Sequence, residues 1–106
     1  MSAITRTGAR PIVLTHATRV ADPPRPQDAD WLWRARVNMP RATPSVIGQF
    51  NGATNQAIRA WAARRRVVLI DLATDMNGRE ELFGDLIHFN DSGAAFVARA
   101  VADAIH

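Results

Sequence analysis

The chain has 106 residues, enough for one modest core and too few for two complete domains. Its 47% hydrophobic and 22% charged residues exclude a disordered, collagen-like or coiled-coil class, and the absence of cysteine excludes a disulfide framework, a thiolate nucleophile and a Cys-based metal site. The net charge of +3 comes with a sequence pI near 11.3, but all 13 strongly basic residues are arginine and there is no Lys, Tyr or Cys. Almost nothing titrates between histidine and arginine, so the pI reports missing buffering groups rather than a strong field, and no nucleic-acid partner follows from it. The longest apolar runs, Pro11 to Leu14 and Val67 to Ile70, fall far short of the ~20 residues of a membrane span. Met1 to Arg10 lacks an apolar stretch followed by a small-residue cleavage site, so a cytoplasmic location is expected.

In chain order, residues 1 to 8 read as the end of a helix with Gly8 just past it, which implies helical sequence upstream of Met1. Pro11-Ile12-Val13-Leu14-Thr15 is a short apolar run of the kind buried on both faces of a parallel sheet. Residues 17–44 carry Pro23, Pro24, Pro26, Pro40 and Pro44, which predicts a long loop with at most a turn around Trp31 to Val37. From Ser45 to Arg65 the apolar positions Val46, Ile47, Phe50, Ala57, Ile58, Trp61 and Ala62 recur at helical spacing, with the helix interrupted or weakened at Gly48 and Gly52 and with Trp61 in the core. Arg64, Arg65 and Arg66 then complement its C-terminal dipole.

Val67 to Leu72 follows as a second buried strand, and strand, helix, strand is a βαβ unit with parallel strands. After a polar stretch from Ala73 to Gly84, a last helix begins at Asn90 or Asp91, both good N-caps. Its apolar stripe is Val97, Ala100, Val101, Ala104 and Ile105.

Asp85-Leu86-Ile87-His88 carries the chemistry. A carboxylate three residues before an imidazole can accept its Nδ1 proton within a tight turn, fixing the tautomer and leaving Nε2 as a general base. The pair lies after the second strand and before a helix N-terminus, at the edge where open parallel sheets bind ligands.

Asp85-Leu86-Ile87-His88-Phe89-Asn90-Asp91-Ser92-Gly93 and the Ala/Val-rich helix after it resemble the C-terminal block of the SGNH (GDSL-type) hydrolases: D-x-x-H, a polar cap, Gly and a closing helix. The strand at Pro11 to Thr15, the helix through Arg65 and the strand at Val67 to Leu72 are similar to that family's last core elements. The resemblance implies an α/β chain, the C-terminal part of a flavodoxin-like three-layer α/β/α fold: a single, partial domain over 1–106 with two parallel strands and flanking helices. It implies a serine esterase or acyl hydrolase whose triad takes its acid from Asp85 and its base from His88, with 17–44 as a loop over the active-site edge. The family's Gly-Asp-Ser nucleophile segment and its G-x-N-D oxyanion segment are both absent, and none of Ser2, Ser45 and Ser92 sits in a Gly-x-Ser strand-to-turn context. The chain alone is therefore expected to be inactive on its small acyl-ester substrate. Its expected partner is an N-terminal half-domain or a second copy at the exposed sheet edge. The alternative from another class is a non-catalytic α/β interaction module or pseudoenzyme fragment.

Four further residues have two readings each. His16, at the carboxyl end of the first strand, either faces the substrate or is a hydrogen-bonded structural residue, and Asp71 has the same choice. Trp31 and Trp33 either line an acyl or aryl pocket or anchor the loop to the core. No H-x-H or H-E-x-x-H spacing and no Gly-rich phosphate loop is present, so neither a metal nor another cofactor is expected.

Overall fold

The computed structural model describes residues 8–35, 41 and 43–105. The β-branched runs form two short parallel strands, β1 (Ile12–Leu14) and β2 (Val68–Ile70), with Ile12 opposite Val68, Val13 opposite Leu69 and Leu14 opposite Ile70. A further hydrogen bond from Thr15 N to Ile70 O (3.2 Å) continues the ladder. Four helices accompany them among the described residues: α1 (Ala29–Ala35), α2 (Pro44–Arg65), α3 (Leu72–Met76) and α4 (Asp91–Ala104). The chain is thus a small α/β unit. The expected helix end at residues 1 to 7 lies outside the described residues.

The expectation that both strands are buried on both faces is not met, since Leu14 is 38% and Val68 46% exposed. Two strands make too narrow a sheet for its helices to cover, and each strand has one neighbour among the described residues. The main core lies between the sheet and α4. Ile70, Leu72, Met76, Leu82 and Phe83 are buried there against Val97, Ala100, Val101 and Ala104 of the expected stripe, with Ile12 and Phe96 completing it, while Ile105, the last of that stripe, follows the end of α4 and faces solvent at 61% exposure. A second cluster gathers Val20, Leu32, Ala35 and Ile47 beneath Trp31 and Leu86.

Helix α2 runs without a break through Gly48 and Gly52. These glycines serve close approach instead: a Cβ on Gly48 would sit 3.3 Å from Pro24 Cγ and one on Gly52 would sit 3.2 Å from Asp22 Oδ2, so their absence of side chains lets the loop lie on the helix. Phe50 faces solvent at 65% exposure and Val46 is exposed too, because helical spacing alone does not tell which apolar positions meet the core. Trp61 is half-buried and lines a surface groove with Val13, Leu14, Ala57 and Ile58 rather than sitting in the core. The helix ends as its arginines suggest, with Arg64 and Arg65 in the last turn and Arg66 in the left-handed region at φ 54°, its N–H donating back to the carbonyls of Ala62 and Ala63.

The segment 17–44 is more regular than its prolines imply. Pro26–Asp28 forms a 3₁₀ turn leading into α1, and residues 36–40 and 42 lie outside the described set. Asp28, only 1% exposed, organises this turn: its carboxylate accepts from the backbone N–H groups of Ala21 (3.0 Å) and Arg25 (2.8 Å) and pairs with the Arg25 guanidinium at 2.9 Å. The polar stretch after β2 is likewise structured. Asp71 caps α3 through Thr74 N, Met76 is fully buried, and a 3₁₀ turn over Glu80–Leu82 follows.

Candidate active site

The segment after the Glu80–Leu82 turn folds back on itself. Phe83 and Phe89 form an isolated antiparallel bridge with ring centroids 5.5 Å apart, and Gly84 N donates to His88 O at 2.8 Å. Within this closed turn the Asp85 carboxylate has three donors. Its Oδ1 accepts from the backbone N–H groups of Ile87 (3.0 Å) and His88 (2.7 Å), and the His88 ring places Nδ1 2.8 Å from Oδ2 and 3.0 Å from Oδ1. The backbone N–H groups of His88 and Ile87, then the imidazole, hold the Asp85 carboxyl below the usual carboxylate range. Both side chains are open to solvent, His88 at 76% and Asp85 at 52% exposure. With Nδ1 engaged, Nε2 is the ring nitrogen left to exchange a proton with a bound molecule.

Three residues seat the turn on the fold. Leu86 packs on the cluster of Val20, Leu32, Ala35 and Ile47. Asn90 donates its backbone N–H to Leu82 O (3.1 Å) and its side-chain amide to Glu81 O (2.9 Å), while its Oδ1 caps α4 by accepting from Gly93 N (2.9 Å). Arg19 donates its backbone N–H to Leu86 O (2.8 Å) and a guanidinium N–H to Phe83 O (3.2 Å), with that guanidinium 4.5 Å from the Trp31 ring centre. Arg19 was not legible as a site residue, since nothing local to it points to a contact with residues more than sixty positions away.

A cleft of about 340 Å³ opens beside the dyad, lined by Trp31, Arg34, Ala35, Asp85, Leu86, Ile87 and His88. Of the residues singled out in the sequence, Asp85, His88 and Trp31 therefore meet at one place, and Trp33 and His16 do not line that cleft. Trp33 is 54% exposed. The His16 main chain is clamped by the buried Asn55 side chain, which accepts from its N–H (2.7 Å) and donates to its carbonyl (2.9 Å), while the residue as a whole is exposed.

Asp71 is committed to structure. It pairs with Arg59 at 2.8 Å and accepts the Thr15 hydroxyl at 2.8 Å; the Thr15 oxygen in turn accepts from Ala73 N. Arg59 first, then the hydroxyls of Thr15 and Thr74, outweigh burial and push the Asp71 carboxyl far below its ordinary range. Among the described residues no three His, Asp or Glu side chains gather where a metal ion could be held. No described helix is long and apolar enough to cross a membrane. Ser92 stands exposed in the first turn of α4, and Ser2 and the Ser45 side chain lie outside what is described.

Compared with protein-family models, with curated proteins and with solved structures, the chain has no match.

Proposed function

We propose that this chain supplies the proton-transfer half of a serine-type ester hydrolase, in the manner of the SGNH family whose C-terminal block it resembles, as part of that family's three-layer α/β/α fold. The observation that supports the reading is the 2.8 Å contact between His88 Nδ1 and Asp85 Oδ2, made beside an open cleft. In this reading Asp85 stays ionised and keeps the ring in its Nδ1–H tautomer. As a serine oxygen attacks the ester carbonyl, His88 Nε2 takes the hydroxyl proton. It then returns that proton to the departing alkoxide, leaving an acyl-serine, and a water molecule repeats the exchange to release the acid. The serine and the oxyanion donors come from a partner half-domain. The substrate is a small acyl ester that fits a cleft of about 340 Å³.

Imidazole ¹⁵N spectra and turnover test this together. The neutral ring of His88 is expected in the Nδ1–H form in the wild-type chain and to lose that preference in Asp85→Asn. The chain alone is expected to hydrolyse a nitrophenyl ester no faster than free imidazole. Combined with a Gly-Asp-Ser-bearing half of an SGNH hydrolase, it is expected to gain His88-dependent turnover and labelling by a fluorophosphonate. An Nε2–H tautomer indifferent to Asp85 would overturn the reading and leave a non-catalytic interaction module. Labelling of the chain by itself would place the nucleophile at Ser2, Ser45 or Ser92.

A further inference from the structure

We infer that the cleft beside the dyad selects an ester bearing a negatively charged oxyanion on a planar group, with Arg34 as the residue that binds the charge. This rests on the reading of Asp85 and His88 above and names the substrate class of that site. Trp31 and Arg34 lie three residues apart on α1, a spacing that puts them on one face, and both line the cleft with Asp85 and His88. Two guanidinium groups approach the Trp31 ring, Arg19 at 4.5 Å and Arg34 at 4.7 Å from its centre.

The two differ in what else they do. The Arg19 guanidinium is tied to the turn by its bond to Phe83 O, beside the backbone bond from Arg19 N to Leu86 O, and its Nε is buried without a partner among the described residues. Arg34 makes no ion pair or hydrogen bond among the described residues, even with Asp30 one turn earlier on the same helix; its contact is the indole. Asp85, the carboxylate in the cleft, is already saturated by Ile87 N, His88 N and the His88 ring.

Stacking on an aromatic face uses the face of a guanidinium and leaves its in-plane N–H groups free, the fork that matches a carboxylate or phosphate two bonds at a time. Trp31 thus holds a cation whose donors have no partner among the described residues, at the wall of the cleft that His88 also lines. The same indole offers a planar surface for an aryl group. The cleft lies at the small end of ligand-pocket sizes, which suits one ring with its ester and its charge.

Amide and guanidinium NMR shifts on the full chain, titrated with monomethyl terephthalate, 4-(methoxycarbonyl)phenyl phosphate and methyl benzoate, test the inference. The two anionic esters are expected to move the Arg34, Ile87 and His88 signals and to bind about tenfold more tightly than neutral methyl benzoate. Which anion binds better separates a carboxylate from a phosphate substrate. Arg34→Gln is expected to erase the preference for charge, and Arg64→Gln, remote on α2, to keep it. Equal binding of charged and neutral esters, or a preference that survives in a folded Arg34→Gln, would overturn it. A charge preference without His88-dependent turnover in the complemented protein would overturn the hydrolase reading alone. Turnover without a charge preference would overturn this inference alone.

Discussion

Leu82 presents its backbone carbonyl to the Cα of Gly93 at such close range that a Cβ on residue 93 would overlap the oxygen, and it would also meet Phe89 Cβ at 3.0 Å. Helix α4 can therefore dock on the Glu80–Leu82 turn only with glycine here. Alanine would favour the helix by up to about 1 kcal/mol. The overlap with rigid backbone outweighs that, so Gly93→Ala is expected to destabilise by about 1–3 kcal/mol, read from the urea midpoint. Because Asn90 links the same helix cap to Leu82 O, the His88 ring signals should broaden in this variant.

Asp85 does two jobs that one substitution can separate. Asparagine keeps an oxygen able to accept from Ile87 N and His88 N, so the turn is expected to persist in Asp85→Asn, less the stability that the ionised carboxylate adds. Its amide cannot accept the Nδ1 proton that Oδ2 now takes, so the ring loses its fixed tautomer. In protein complemented with the serine half, His88→Ala is expected to abolish turnover, and Asp85→Asn to lower it by roughly 10²–10⁴-fold through kcat. Equal turnover in Asp85→Asn and wild type would sink the assigned role.

Arg19 joins the turn to the loop that leaves β1. Arg19→Ala removes the bond to Phe83 O and the stack on Trp31, and a loss of about 1–3 kcal/mol is expected, with faster hydrogen exchange at Leu86 to His88 as its local signature. Arg19→Lys, which keeps the charge without the planar fork, should recover only part of this. Exchange rates unchanged in Arg19→Ala would show that Leu86 packing alone holds the turn.

Acid should unfold the chain through its carboxylates. Arg59 above all depresses the Asp71 carboxyl, and the His88 and Ile87 amides depress that of Asp85; at Asp28 burial works the other way, but the Arg25 pair and the Arg25 and Ala21 amides prevail. In the unfolded chain each titrates near its ordinary value of about 4. The folded state binds these protons more weakly, so the stability they contribute is complete above that value and is lost as pH falls through the lower folded values. Urea midpoints are expected to hold from pH 7 to about 5 and to drop below about 4. Asp71→Asn should flatten the drop; an acid limb unaltered in that variant would assign it to other groups.

What could be read in the chain beforehand follows the range of the interactions involved. The parallel strands, the ends of α2 and α4 and the Asp85–His88 contact depend on runs or on residues a few positions apart, and each lies close to its expected place. The helix α1 was hidden because prolines around it suggest irregular chain, whereas a buried Asp28 with Arg25 builds its entry. Gly48 and Gly52 read as weak points because their value lies in Pro24 and Asp22, which only folding brings near. Arg19 and Arg34 could not be singled out for the same reason: what distinguishes them is Trp31 and the turn beyond it.

The turn from Phe83 to Phe89 closes through bonds among its own members: the Phe83–Phe89 bridge, Gly84 to His88, and the Asp85 carboxylate with the two amides and the ring that follow it. These bonds are internal to the turn; what the sheet and α2 supply is the packing beneath Phe83 and Leu86, through Ile70 and Ile47. Mutational damage to those elements would therefore loosen the seat of the turn before it broke the bonds that orient the imidazole. The orientation of the ring is in this respect set by neighbours in sequence and its place in the fold by packing, so the two respond to different substitutions.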